Sequence, residues 1–122
     1  MAYDDCLSGA WLSVWLGIDT ARIDRMRRSG ELIAIRPDGT GAWVYPAWQF
    51  RNGKPRPAVP RIVAAAADAG LDEHRLYAVL TMRAGLGAEQ RRLADVLVAG
   101  GDDQVVTAVR ESRSQAFAGN DD

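Results

Sequence analysis

The spacing of apolar positions changes several times along this chain, and each change marks an element. Leu12, Trp15 and Leu16 recur at three- and four-residue steps, which places them on one face of a helix over about 8–16. Ser8 suits the N-cap, because its hydroxyl can accept an otherwise unpaired backbone N–H of the first turn. Leu7 before it and Trp11 or Leu12 after it fit a hydrophobic staple. Gly17 supplies a sharp turn, and Ile18 plugs the angle to a second helix. That helix starts at Asp19 or Thr20 and stops at Gly30, where glycine can take the left-handed conformation that ends helices. At about 100° per residue, Ile23 and Met26 fall on one side and Ala21, Arg22, Arg25 and Arg28 on the other. Arg27 lies near the apolar edge, with its stem along the core. Residues 32–35 and 42–45, β-branched and aromatic, read as two short strands joined by the turn signal RPDGTG. Pro46 then opens a short helix carrying Trp48 and Phe50.

Beyond residue 50 the pattern is helical. Residues 51–60, RNGKPRPAVP, read as a linker, since Asn-Gly and three prolines break regular structure. An alanine-rich helix over 59–69 ends at Gly70. Asp72 caps a helix through Met82 with Leu76, Val79 and Leu80 inward. A loop surrounds Gly85 and Gly87, and a helix over 89–99 turns Leu93, Val96 and Leu97 inward. The last helix begins at Asp102 or Asp103 and carries Val105, Val106 and Val109. The fold class expected is mainly α: a winged helix-turn-helix with a short β-hairpin, followed by a small helical bundle. The divisions expected are 1–50 for the winged domain, 51–60 for the linker, 61–117 for a helical dimerisation or partner-binding module, and 118–122 for a frayed tail.

Composition changes this picture little; charge changes it more. At 122 residues, 48% hydrophobic and 25% charged, the chain reads as an ordinary globular protein. The single Cys6 excludes an internal disulfide framework and fits a reducing compartment. The opening MAYDDC lacks the positive region and apolar run of a signal peptide, and no apolar run approaches a membrane span, so a cytoplasmic location is expected. The net charge is only −1, yet it is unevenly spread. Residues 20–56 hold eight cations (Arg22, Arg25, Arg27, Arg28, Arg36, Arg51, Lys54, Arg56) against Asp24, Glu31 and Asp38, whereas from Pro57 onward seven arginines meet ten acids. A basic first half on an acidic second half is what a DNA reader joined to an interaction module would carry.

No catalytic, cofactor or metal constellation is visible. His74 is the only histidine, and it has no cysteine pair or second histidine at metal-ligand spacing. The serines lack a nucleophile-elbow context, and GTG at 39–41 is hairpin chemistry. At least three of Trp11, Trp15, Trp43 and Trp48 are expected in the core. The arginines of the second helix remain. Arginine donates two parallel hydrogen bonds to guanine and also binds phosphate. A recognition helix reads bases mainly through its first turns, which selects Thr20, Ala21, Arg22 and Arg25 for base edges and Arg28 for phosphate. Arg36, at the base of the wing, is placed to reach an adjacent phosphate or the minor groove. The partners expected are double-stranded DNA and a second copy of the chain. The alternative is a protein-interaction adaptor that keeps the winged fold without binding DNA.

The residues Leu12–Ile18 (LSVWLGI), Ile23–Leu32 (IDRMRRSGEL) and the strand-turn-strand to Tyr45 resemble MerR-like and excisionase-like winged helix-turn-helix domains. Ser13 stands where that family usually has alanine. From about Gly53 to Ser112, GKPRP, AGLDEHRLYAVL, Leu86-Gly87 and ADVLVAGGDDQVVTAVRES resemble the toxin-binding domain of Xre/ParS-type antitoxins. The resemblance implies an autorepressing antitoxin whose second half also neutralises a cognate toxin. It implies partner-binding residues at Leu86, Gly87, Arg91 and Arg92.

Overall fold

Ser8 ends one element and starts the next. It closes a short strand, Cys6–Ser8 (β1), and its hydroxyl accepts the Trp11 backbone N–H at 3.1 Å to begin helix Gly9–Leu16 (α1). The computed structural model describes residues 5–37, 41–84 and 91–120. Gly17 takes a positive φ of 71°, so the Gly17 and Ile18 N–H groups both reach back to the Ser13 carbonyl, at 2.9 and 3.2 Å. Ser13 Oγ donates to the Ile18 carbonyl at 2.5 Å, which ties the turn from its other side. The second helix, Thr20–Arg28 (α2), ends where Gly30 adopts a φ of 80° and Glu31 N–H reaches Met26 O at 2.9 Å.

The expected hairpin is rearranged. Residues 32–35 do not form a strand; their backbone meets the other arm at one bridge, Ile35 with Val44, through bonds of 2.9 and 2.8 Å. Gln49 explains this. Its buried amide accepts from Ile33 N–H and donates to Ile33 C=O, both at 2.7 Å, so a side chain does the work of a neighbouring strand. Val44–Pro46 (β2) pairs instead with β1, antiparallel, in the register Cys6 to Pro46, Leu7 to Tyr45 and Ser8 to Val44. The tip of the expected wing, residues 38–40, lies outside the described residues.

Pro46 precedes a 3-10 turn, Ala47–Gln49, but Phe50 leaves it for a strand. Phe50–Arg51 (β3) and Lys54–Pro55 (β4) pair around Asn52 and Gly53, whose φ values of 54° and 75° are those of a tight type I′ hairpin. The stretch expected as a linker thus contains a hairpin, followed by helix Val59–Asp68 (α3). Helix Glu73–Thr81 (α4) is capped by Asp72, which accepts Arg75 N–H at 2.8 Å. The helix expected over 89–99 begins later. Arg91–Arg92 (β6) is extended and pairs with Arg83–Ala84 (β5), so helical bonding starts only at Leu93–Val98 (α5). Asp102–Asn120 (α6) is the last described element.

Two apolar clusters result. Leu12, Ile23, Leu32, Tyr45 and Phe50 form the first, under the winged half; α3, α4, α5 and α6 enclose the second around Ile62, Leu80, Leu97, Val105 and Val109. Ile33 belongs to the second cluster although it sits in the first half of the chain. The tryptophan expectation is corrected: Trp11 and Trp15 are exposed, Trp43 and Trp48 are only partly covered, and among the described residues the buried aromatics are Tyr45, Phe50 and Tyr77. The indoles are too large for so thin a core and lie over its edges instead.

Asp5 joins the two halves. Its carboxylate accepts from Trp48 Nε1 at 2.7 Å and from the Tyr77 hydroxyl of α4. Cys6 lies beside it, and burial, reinforced by the Asp5 charge, pushes its thiol up to about 12. The Tyr77 hydroxyl is raised too, by burial first and then by its bond to Asp5.

Candidate nucleic-acid interface

The basic surface is built from the start of α2. Asp19 accepts Arg22 N–H at 2.8 Å and so fixes the first turn. Ile23, 1% exposed, anchors the helix inward with half-buried Met26. That orientation leaves Thr20, Ala21, Arg22, Arg25 and Arg28 exposed together. Arg28 Nε donates to the Asp24 carbonyl at 3.3 Å, which holds its stem against the helix. Among the described residues, none of Arg22, Arg25 and Arg28 forms an ion pair. Three guanidiniums on one open face can receive phosphates or base edges.

Arg27 and Arg36 are used differently. The Arg27 guanidinium stands 4.3 Å from the Trp43 ring centroid and 3.6 Å from Asp24. That of Arg36 stands 4.6 Å from the same ring. The Arg36 backbone N–H donates to Glu73 at 3.1 Å, and its Nε lies 3.8 Å from the same carboxylate oxygen. Trp43 therefore carries two cations. Arg36, predicted to join the nucleic-acid face, is instead half-buried against Trp43 and α4.

Two cations were not singled out from the sequence. Arg51 and Lys54 face each other across the Asn52-Gly53 turn, and both are exposed. The hairpin stands beside α2, since Gly53 and Lys54 line one cleft with Arg22 and Met26. Asn-Gly between basic residues was the available signal. The outer side of α1 carries Trp11, Val14 and Trp15, 61%, 79% and 44% exposed, with the Trp15 ring edge-on to Phe50 at 5.5 Å.

In the second half, Arg91 is exposed on β6. Arg92 is held by Asp95 through bonds of 3.1 and 2.9 Å, which keep its guanidinium charged beyond the ordinary range. Leu86 and Gly87 lie outside the described residues.

No known protein-family profile matches the chain, and a search of curated proteins finds no significant match. Among solved structures it is similar to the NMR structure of Rv2175c, with a TM-score of 0.72, 20% identity, and coverage of 91% of this chain and 83% of that one. The chain shares the bipartite fold of Rv2175c. At that identity the likeness is one of architecture: a winged-helix-like region first, a small helical bundle second. Among the described residues, no helix is long and apolar enough to cross a membrane, and no three histidine, cysteine or acidic side chains gather as a metal site would require.

Proposed function

We propose that this chain is a sequence-specific DNA-binding regulator that inserts α2 into the major groove. Thr20, Ala21, Arg22 and Arg25 read base edges and Arg28 holds phosphate. The observation that supports this most is the open face of α2: three arginines, exposed together, without an acid paired to any of them among the described residues. Arg51 and Lys54 extend the same cationic surface to the flanking backbone. Arg36 has a weaker case, because Glu73 already engages it. In this reading the helical second half dimerises, so that two α2 helices meet half-sites a helical turn or so apart. Autorepression and neutralisation of a cognate toxin, with Leu86, Gly87, Arg91 and Arg92 as contacts, follow from the antitoxin resemblance. Arg91 is the best placed of those, and Arg92 is committed to Asp95.

The adaptor reading has one observation in its favour, the uncharged outer face of α1 with Trp11 and Trp15 exposed. A salt titration separates the two. Phosphate contacts make log affinity fall with log salt by about 0.9 per phosphate neutralised, so about three to five contacts give a steep slope. In the same assay, Arg25→Ala should cost about 1–3 kcal/mol on the selected operator and little on scrambled duplex, whereas Arg28→Ala should weaken both alike. Binding that ignores salt, or equal losses for both variants on both duplexes, would overturn the assignment.

A further inference from the structure

An open cleft of about 470 Å³ lies between α2 and the β3–β4 hairpin. That size falls in the range of roughly 300–1,000 Å³ common to small-molecule sites. Its walls are apolar: Leu16, Ile18 and Met26 on one side, Pro55, Pro57 and Pro60 on the other. The prolines matter twice. Their rings fix the backbone, so the wall is formed before any ligand arrives, and their nitrogens carry no N–H to offer a neutral polar guest.

The charges at the rim are one-sided. Arg22, Lys54 and Arg56 stand against Glu31. Arg56 is engaged, its Nε donating to the Trp48 carbonyl at 2.9 Å, and Glu31 accepts the Ser29 hydroxyl at 2.5 Å. Arg22 and Lys54 are exposed and have no ion-pair partner among the described residues. An apolar trough with two uncommitted cations at its edge suits a guest with a hydrocarbon body and an acidic head. Arginine supplies a planar fork for a carboxylate and lysine a point charge beside it.

We propose that this cleft binds a small amphipathic carboxylate, and that the bound carboxylate withdraws Arg22 from DNA. The second clause rests on the reading of α2 given above; the first does not. Arg22 belongs to both surfaces, so ligand and duplex compete for one guanidinium.

The test uses the full chain labelled with carbon-13 at its methionine methyls, titrated with decanoate below its micelle concentration. Decanol and decylamine serve as neutral and cationic analogues. Met26 lines the cleft, and exposed Met82, at the end of α4, is the internal control. Decanoate should shift the Met26 signal saturably and leave Met82 in place. Lys54→Glu, a surface change, should weaken decanoate by about tenfold and leave decanol unaffected. No saturable Met26 shift, or a shift that decanol matches and Lys54→Glu leaves unchanged, overturns the site. Saturating decanoate should also weaken binding of a labelled duplex by the wild-type chain; unchanged affinity overturns the competition. A chain that binds no duplex at any salt refutes the reading of α2, and Met26 still decides the cleft.

Discussion

At the scale of single residues, the most constrained chemistry lies around Asp5. Its carboxylate takes two donors from residues far along the chain, Trp48 and Tyr77, while the Cys6 thiol is held protonated next to it. Cys6 and Tyr77 are both neutral when protonated, and the fold raises both. Stability from each is therefore complete below its unfolded value and lost as pH rises through its folded one. For Cys6 that window runs from the ordinary thiol value of about 9 to about 12; for Tyr77 it begins near 10 and extends higher. The urea midpoint should fall steadily above about pH 9, and Cys6→Ala and Tyr77→Phe should each flatten that fall. A wild-type midpoint constant through this range would show that neither group is perturbed. The same burial makes the native thiol slow to alkylate, since the thiolate is the reactive form.

At the scale of elements, the sequence was clearest where one local signal settles an outcome. Ser8, Gly17, Asp19, Gly30 and Asp72 stand at the helix ends where capping chemistry places them. The valines of α6 and the inner faces of α2 and α4 follow from periodicity. Strand pairing was not legible, because it depends on partners distant in sequence. Residues 42–45 carry a β pattern, but nothing local says that β2 pairs with β1 rather than with 32–35. Gln49 decides it by occupying Ile33, and a polar residue in a short apolar helix pattern gives no hint of that role. The exposed cationic face of α2 was legible as helix periodicity for Arg22, Arg25 and Arg28. Arg36 was not, since its Trp43 and Glu73 neighbours come from other elements. Gln49→Ala would strand the Ile33 N–H and C=O in the interior. Each buried orphan costs about 1–3 kcal/mol, so the variant should lose about 2–4 kcal/mol in urea unfolding. A loss below about 0.5 kcal/mol would mean that water or a new pairing replaces the amide.

At the scale of the whole molecule, the two apolar clusters are not independent. Ile33 crosses from one to the other, Gln49 holds it there, Asp5 reaches Tyr77, and Glu73 holds Arg36. The halves differ in charge, with the acids concentrated in the second, yet share these polar ties. The chain should therefore unfold in a single step, with tryptophan fluorescence and far-ultraviolet dichroism giving coincident urea curves. Asp5→Ala should split the curves, the fluorescence change preceding the dichroism change. Separate wild-type transitions would show that the ties are too weak to couple the halves. If α2 enters DNA as proposed, such coupling would hold it in a fixed attitude to the bundle and so would set half-site spacing.

The position of β1 also bears on how the protein is made. Its partner strand is β2, and Asp5 takes its two donors from positions 43 and 72 residues later. The opening segment emerges from the ribosome well before any of these exist. It waits, unpaired, until residues 44–46 follow it, and Asp5 gains its second donor only after Tyr77 of α4 has left the exit tunnel.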